Sequence, residues 1–194
     1  MATPPDRLIP NPPADAVPAI ETARLRLRGH RIDDHEACAA LWGDPVVTRF
    51  IGGHPSSRED VWARMLRYAG LWALLGFGYW AVEDKADGAF VGDIGFADFR
   101  REIEPSMQGT PEIGWVLSPR VHGRGYATEA VAAALAWGDA HFGSSPTACI
   151  IDPENLASLS VARKCGFEPI ARTTYKGSPT LMFQRPHGRI ACAG

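Results

Sequence analysis

Residues 111–137, PEIGWVLSPRVHGRGYATEAVAAALAW, carry the pattern around which the rest of the chain is organised. The apolar run from Ile113 to Leu117 predicts a strand, because Ile, Trp and Val suit a pleated surface. Ser118-Pro119 ends that strand, and a glycine turn at 123–125 follows. The alanine-rich stretch from Tyr126 to Trp137 predicts a helix, since its apolar side chains recur near a 3.6-residue period.

A strand, a glycine turn and a helix start in this order are typical of phosphate-binding sites. The first turn of a helix leaves amide N–H groups unpaired, and the helix dipole there favours an anion. Glycine lets the backbone approach a phosphate with no Cβ in the way. A Walker loop is excluded because no Gly-Lys-Ser/Thr follows, and a dinucleotide fingerprint would need a third glycine at Thr128. A tight turn that binds nothing is the alternative interpretation.

A second motif, DPENLASLSVARKCGF at 152–167, follows an apolar run at 147–151 that predicts another strand. Asn155 is suited to cap a helix, and Ser158 lies one turn later on the same side. Gly166 provides the left-handed residue that ends the helix. A well-capped surface helix would account for the same residues.

Together the two motifs resemble the GNAT acetyltransferase superfamily, whose acyl-CoA motif is Gln/Arg-x-x-Gly-x-Gly/Ala. The register 120–125 matches it literally, but the register 122–127 places the small last residue inside the helix, as the family does, and is preferred. That register departs from the family at its first position, where His122 stands for Gln or Arg. The residues Asn-x-x-Ser-x-x-Val-x-x-Lys-x-Gly-Phe at 155–167 and TARLRLR at 22–28 are similar to the RimJ/RimL-like branch, the ribosomal-protein N-terminal acetyltransferases.

The resemblance implies an α+β fold, an α/β/α sandwich in which helices flank a mixed, mostly antiparallel sheet of about seven strands. In that fold the fourth and fifth strands, here 113–117 and 147–151, splay apart and admit the pantetheine arm of acetyl-CoA. The pyrophosphate would lie on the amides of the glycine turn, and no metal is implied. The implied acetyl-CoA contacts are Trp115, Val116, Leu117, His122, Gly123, Arg124, Gly125, Tyr126, Ala127, Thr128, Asn155 and Ser158.

Amine acetylation needs a proton acceptor for the amine, donors for the oxyanion and a proton donor for the leaving thiolate. Glu112 is the candidate proton acceptor, because it starts the cofactor-binding strand and shares a face with Gly114 and Val116. An exposed strand-end carboxylate is the alternative interpretation of Glu112. The family resemblance implies that an N–H near Val116 binds the oxyanion and that Ser158 serves the thiol.

A covalent route through a cysteine is not expected. Cys165 is predicted to end a helix, where the dipole disfavours a thiolate, and Cys149 lies in the middle of an apolar strand. Direct transfer in a ternary complex is therefore predicted. Tyr126 and Tyr175 are outside candidates for the thiol side.

The other patterns predict the elements that surround this centre. A strand is predicted at 22–28. One helix is predicted to begin with the capping box of Asp33 and Glu36 and to end near Trp42-Gly43, and a second to begin with Ser56 and Glu59 and to end at Gly76. Two hairpins are predicted, one of 77–83 with 89–98 and one of 167–174 with 180–184. The arginines of 22–28 are expected to face solvent, and the polar loop 99–111 is a candidate substrate rim. The predicted limits are a proline-rich flexible arm at 1–20, a single domain at 21–184 and a tail at 185–194.

Composition and charge narrow the class of protein. A net charge of −2 gives no electrostatic reason to expect a nucleic-acid binder. Four cysteines without paired or metal-binding spacing indicate a reduced, cytoplasmic setting. The N-terminus lacks a signal-peptide pattern, and the most apolar window, 69–82, is too short to span a bilayer. A homodimer is left open.

The sequence therefore predicts an acetyl-CoA-dependent N-acetyltransferase. Its acceptor would be a protein or peptide α-amine, as the RimJ/RimL resemblance implies, or a small amine such as an antibiotic, a polyamine or an amino acid. The alternative is a module that binds acyl-CoA without turnover, if Glu112 is only a surface residue. A nucleotide-binding oxidoreductase ranks below both.

Overall fold

An eight-stranded sheet forms the centre of the computed structural model, which describes residues 17–188. The strands are β1 Ile20–Glu21, β2 Leu25–Arg28, β3 Tyr79–Asp84, β4 Phe90–Ala97, β5 Glu112–Leu117, β6 Thr147–Ile151, β7 Glu168–Tyr175 and β8 Ser178–Arg185. In space they run β1-β2-β3-β4-β5-β6-β8-β7, and every neighbouring pair is antiparallel except β5 and β6. The mixed, mostly antiparallel sheet is confirmed, with the two-residue β1 as the additional strand.

Helices cover both faces of this sheet. They are α1 His35–Trp42, α2 Pro45–Thr48, α3 Arg58–Leu75, α4 Tyr126–His141 and α5 Leu156–Lys164. The α4 helix packs on one face against the largest apolar cluster, which includes Trp80, Ile94 and Phe96. The α1 and α3 helices pack on the opposite face, around Val116. The predicted α+β sandwich is therefore confirmed.

Alternation along β5 divides its side chains between the two faces. Ile113 and Leu117 join the cluster under α4, whereas Val116 joins the cluster under α1 and α3. Because successive side chains of a strand point to opposite faces, Glu112 and Gly114 lie on the same face as Val116. We call this the α1/α3 face.

The two parallel strands β5 and β6 separate after their first residues. They pair only at Glu112 and Ala148, where the Ala148 amide donates to the Pro111 carbonyl at 3.0 Å. Beyond that point a gap opens toward the carboxyl ends of both strands. This is the splay predicted for the fourth and fifth strands, which become β5 and β6 because β1 precedes them.

The main chain of β5 offers hydrogen-bonding groups to that gap. The Ser118 amide donates to the Val91 carbonyl of the β4 side at 2.8 Å. Since main-chain groups alternate in direction along a strand, the amide of Val116 also points to β4. The amides of Trp115 and Leu117 point to the gap, as the Pro111 carbonyl does.

The predicted start of α1 is wrong. The capping box of Asp33 and Glu36 does not form, and a short 3₁₀ turn precedes α1 instead. The Asp34 carboxylate accepts from the Arg31 amide at 2.7 Å and from the Arg28 guanidinium through two bonds of 2.8 Å. A buried ion pair thus determines how the chain enters α1, and a local capping pattern does not predict this ion pair.

The start of α3 is one residue later than predicted. Ser57 and Asp60 form the capping box in place of Ser56 and Glu59. The helix ends at Gly76, whose φ of 74° is left-handed, as predicted.

The α4 helix runs past its predicted end. It passes through Gly138 to His141. A Cβ at Gly138 would lie 3.0 Å from the rings of both Phe96 and Phe142. Glycine therefore costs some helix propensity here but lets these aromatic rings pack against the helix.

The expectation that the arginines of 22–28 face solvent is wrong for Arg28, whereas Arg24 and Arg26 are exposed. Arg28 is buried and pairs with Asp34 and Glu83. Exposed Arg24 nevertheless pairs with Glu129 of α4, and Arg26 pairs with Glu21 at 3.3 Å. Strand alternation alone misses these contacts because the partners lie far away in sequence.

Residues just outside 21–184 make contacts with the sheet and with α4. The Trp80 indole donates to the Pro18 carbonyl at 2.8 Å. Arg185 ends β8 and binds Asp139 through two bonds of 2.8 Å. The rest of the predicted arm and tail, 1–16 and 189–194, lies outside the described residues. None of the helices within 17–188 combines the length and apolar character needed to cross a bilayer.

Candidate active site

The glycine turn and the start of α4 form a ready anion site. Gly123 and Gly125 have φ angles of 71° and 78°, a region that favours glycine. The first helical bond runs from the Glu129 amide to the Gly125 carbonyl. The amides of Tyr126, Ala127 and Thr128 therefore have no partner within the helix. Ala127 lies in the first turn, in agreement with the preferred register 122–127.

Arg24, which the sequence analysis did not assign to the site, shapes this turn. Its guanidinium donates to the Arg124 carbonyl at 2.7 Å and to Glu129 at 2.7 Å, and it lies 4.3 Å from the centre of the Tyr126 ring. Thr22 also donates to Glu129, at 2.6 Å. Thr22 and Arg24 thus connect the segment that leads into β2 with α4, and Arg24 places a positive charge beside the unpaired amides.

Replacing Arg24 with methionine should weaken CoA binding by about ten-fold, because the turn loses a charge-assisted bond to its carbonyl and a nearby cation. Calorimetric titration with CoA measures this loss. Arg26→Met is the matched control, since Arg26 is exposed and its side chain pairs with Glu21 at 3.3 Å, away from the turn. Equal CoA affinities for the two variants would contradict the role of Arg24.

Two predicted contact residues have side-chain hydrogen bonds within the protein. His122 donates from Nε2 to the Leu117 carbonyl at 2.9 Å. The Tyr126 hydroxyl donates to the buried Asp84 at 3.0 Å. The Tyr126 side chain is therefore engaged inside the protein, and Tyr126 is no longer a candidate for the thiol side.

The oxyanion donor predicted near Val116 is not the Val116 amide itself. A Cβ at Gly92 of β4 would collide with the Val116 carbonyl oxygen, so the main chain of Val116 lies against β4. The gap-facing amides belong to Trp115 and Leu117. Of these, Trp115 also has a gap-facing carbonyl, whereas the Leu117 carbonyl is bound by His122.

Glu112 is buried at the narrow end of the gap, so the exposed-carboxylate interpretation is wrong. The Arg101 guanidinium donates a hydrogen bond to each carboxylate oxygen of Glu112, at 2.7 and 2.8 Å. The guanidinium lies between the rings of Phe99 and Tyr175, at 4.5 and 4.9 Å from their centres. Burial alone would lower the pKa of Arg101, but the hydrogen bonds and charge of Glu112 outweigh burial and leave this pKa raised. Tyr175 belongs to this cluster.

The loop at 99–111 borders two clefts beside this ion pair. Ile103 and Met107 anchor the loop in a buried cluster with Ala148 and Met182. The larger cleft, about 670 Å³, lies between the loop and β7. The smaller, about 400 Å³, is lined by Phe99, Arg100, Arg101, Glu102, Tyr175 and Lys176. The loop thus shapes the approach to Glu112 from the α1/α3 face.

Asn155 and Ser158 lie beyond the wide end of the gap, where β6 leads into α5. The Asn155 side-chain oxygen accepts from the Ser158 amide at 3.0 Å and caps the helix. The Ser158 side chain is half-buried. The Cys165 thiol, directly after the C-terminal end of α5, approaches the Thr128 carbonyl of α4 at 4.0 Å, so the end of α5 packs beside the first turn of α4.

The described cysteines are poor nucleophiles. Burial raises the pKa of Cys165 to about 11 and raises that of Cys149 well above its ordinary value. Burial also raises the pKa of Cys38. These thiols stay protonated near neutral pH, and Cys192 lies outside the described residues.

The Acetyltransferase (GNAT) domain family matches residues 24–168. The chain belongs to this family. The uncharacterized protein YkkB of Bacillus subtilis (strain 168) is 32% identical over 170 residues, which cover 84% of this chain and 93% of the relative. The uncharacterized N-acetyltransferase YoaA of the same organism is 27% identical over 152 residues, 78% of this chain and 83% of the relative.

Solved structures of acetyltransferases share the fold. A GNAT-family acetyltransferase from Bacillus anthracis has a TM-score of 0.74 at 23% identity, covering 88% of this chain and 99% of that one. RimL, a ribosomal-protein α-N-acetyltransferase in complex with coenzyme A, has a TM-score of 0.70 at 17% identity, covering 87% and 98%. Spermidine N-acetyltransferase from Vibrio cholerae, in complex with CoA and spermine, has a TM-score of 0.67 at 15% identity, covering 86% and 97%. The GNAT protein described here is an acyltransferase, and acetyl-CoA is its cosubstrate.

Proposed function

We propose that this GNAT protein acetylates a primary amine by direct attack of the amine on acetyl-CoA in a ternary complex. One observation carries the proposal. A gap between β5 and β6 has unpaired helix-start amides at its wide end and the buried carboxylate of Glu112 at its narrow end. The protonated state of the buried thiols Cys149 and Cys165 supports direct transfer over a cysteine intermediate.

The cosubstrate would bind from the α4 side of the sheet. The amides of Gly123 to Ala127 would hold the pyrophosphate, with Arg24 and Arg124 as nearby cations. The pantetheine arm would pair with the gap-facing main chain of Trp115, as an added strand does. Asn155 and Ser158 would border the same arm from the α5 side.

The amine would arrive from the α1/α3 face, where Glu112 lies. A carboxylate has about four lone-pair sites, and the two bonds from Arg101 use two of them. The others are left to hold the amine and accept its proton, while an amide of Trp115 or Leu117 stabilises the oxyanion. The Ser158 hydroxyl would then donate to the departing thiolate.

We further propose that the protein belongs to the RimJ/RimL-like branch. The TARLRLR opening and the Asn155 motif support this assignment, and RimL is among the structures of similar fold. The acceptor would then be an α-amine of a protein or peptide. A small amine is the second candidate, because a neighbour of the same fold is a spermidine acetyltransferase bound to spermine.

An acetylation screen with mass-spectrometric readout tests the function. The panel would hold peptides with free N-termini, the same peptides with blocked N-termini, spermidine, spermine and free amino acids. We expect acetyl-CoA-dependent acetylation of a primary amine and none of the blocked peptides. Binding of CoA without acetylation of any panel member would overturn the proposal and favour a sensor.

The cysteines support a reduced, cytoplasmic setting, which we also propose. Cys38, Cys149 and Cys165 are free and buried. The single-domain limits and a homodimer stay predictions. Size-exclusion chromatography with light scattering measures the oligomeric state.

Replacing Ser158 with alanine should lower kcat by about ten-fold with little change in acetyl-CoA affinity, because a positioned donor to the thiolate is lost. Ser160→Ala is the matched control, since Ser160 lies on the same helix but points to a different side. Steady-state kinetics with the amine found in the screen measures both variants. An unchanged kcat for Ser158→Ala would show that this serine is only a helix-surface residue.

A further inference from the structure

The side chain of Tyr79 lies across the sheet toward β5. Tyr79 of β3 is paired with Gly95 of β4, which is paired with Gly114 of β5. A Cβ built on Gly114 would collide with the Tyr79 hydroxyl oxygen. The missing Cβ at Gly114 leaves room for the tyrosine hydroxyl, and the missing Cβ at Gly95 lets the main chain of β3 approach closely.

The Tyr79 ring is held in place by its neighbours. It stacks on the Tyr68 ring with centroids 4.4 Å apart and planes 5° from parallel. The Phe99 ring lies 6.5 Å away on the loop side. Because packing fixes the ring, the position of the hydroxyl is set before any ligand arrives.

The hydroxyl lies beside the group that we propose as the base. Glu112 and Gly114 are neighbours on one face of β5, and Arg101, which binds Glu112, lines the smaller cleft. Burial raises the pKa of Tyr79, and the negative charge of Glu112 raises it further. The phenol therefore keeps its proton, while its oxygen has lone pairs available to a donor.

We infer that the Tyr79 hydroxyl is a catalytic group that accepts a hydrogen bond from the attacking amine, opposite the Glu112 carboxylate. This inference rests on the proposed function and adds a specificity to it. A neutral primary amine has two N–H hydrogens, one for Glu112 and one for Tyr79. With both bound, the nitrogen lone pair is directed at the thioester carbonyl carbon.

The same geometry predicts selectivity for primary over secondary amines. A secondary amine has one N–H and leaves either Glu112 or Tyr79 without its bond. The site therefore favours a primary amine over its N-methyl derivative by about ten-fold or more, the discrimination expected when a hydrogen-bonding site loses one partner. Reaction stoichiometry is unchanged: the N–C bond forms, the C–S bond breaks, and the amine proton leaves through Glu112.

Replacing Tyr79 with phenylalanine should lower kcat/KM for the amine by about ten-fold and leave the affinity for CoA unchanged. The preference for the primary amine over its N-methyl derivative should shrink in this variant. The phenyl ring keeps the stack on Tyr68, and thermal unfolding checks that the fold survives. Tyr68→Phe is the matched control, which removes a buried hydroxyl from the partner ring and should keep the preference.

A double-mutant cycle tests the geometry without relying on turnover. Gly114→Ala should destabilise the wild type, because its Cβ meets the Tyr79 hydroxyl. In the Tyr79→Phe background the loss of melting temperature should be smaller, since the colliding oxygen is gone. Equal losses in the two backgrounds would overturn the placement of the hydroxyl.

The kinetic outcomes separate this inference from the proposed function. Wild-type protein that acetylates a primary amine and its N-methyl derivative equally well would overturn the role of Tyr79. A Tyr79→Phe variant with wild-type kcat/KM and wild-type preference would do the same. Wild-type protein that acetylates no amine would overturn the proposed function itself.

Discussion

Valine at position 125 should abolish acetyl-CoA binding while the protein stays folded. Gly125 has a φ of 78°, which a β-branched residue rarely adopts, and a Cβ there would lie 3.5 Å from the Arg24 guanidinium. The added side chain would also cover the amides that receive the pyrophosphate. We expect the affinity for CoA to fall by about 100-fold or more, because a bound phosphate group loses several charge-assisted bonds.

Calorimetric titration with CoA, together with thermal unfolding, measures this effect. Gly143→Val is the matched control. Gly143 also has a positive φ, 60°, and no atom lies within 4 Å of its Cβ position, but it follows the far end of α4. Gly143→Val should lose stability and keep its CoA affinity. Wild-type CoA affinity in folded Gly125→Val would refute the phosphate-site assignment.

Replacing Glu112 with glutamine should lower kcat/KM by about 100-fold or more at pH 7, because the substitution keeps the size and removes the proton acceptor. The effect depends on the amine. An α-amine with a pKa of about 8 is partly neutral at pH 7, whereas a lysine-type amine with a pKa of about 10.4 is almost fully protonated. Loss of the base should therefore harm a lysine-type acceptor more, and raising the pH toward the pKa of the amine should recover part of the rate.

The pH–rate profiles of wild type and Glu112→Gln measure this prediction. Glu112→Gln also breaks the ion pair with Arg101, so a control is needed for the pair alone. Arg101→Lys keeps the positive charge and the carboxylate but loses the bidentate hydrogen bonding to Glu112. It should cost less activity than Glu112→Gln. Identical pH–rate profiles for wild type and Glu112→Gln would show that Glu112 is not the base.

Local patterns predicted the centre of the fold well. The strand β5, the glycine turn and the start of α4 are adjacent in sequence, so periodicity and turn chemistry describe them directly. The cap at Asn155 and the left-handed stop at Gly76 are local for the same reason. The gap between β5 and β6 followed from the family resemblance, since no local pattern records where two strands part.

The features of the site that sequence patterns did not predict depend on contacts between residues that are distant in sequence. Arg24 reaches Glu129 across 105 positions, and strand alternation places Arg24 at the surface without revealing this contact. Arg101 lies in a polar loop whose composition does not reveal that it binds Glu112. Tyr79 lies within the predicted strand 77–83, but its meeting with Gly114 depends on the register of three strands.

Release of the CoA thiol, followed with and without a primary amine, tests the central claim most directly. We predict that wild-type protein releases thiol only when both acetyl-CoA and the amine are present, in equal amount to the acetylated amine formed. The Glu112→Gln variant should bind CoA with wild-type affinity and release thiol about 100-fold more slowly at pH 7. Tight CoA binding by the wild type with no amine-dependent thiol release would contradict the account and identify the protein as a non-catalytic acyl-CoA-binding module.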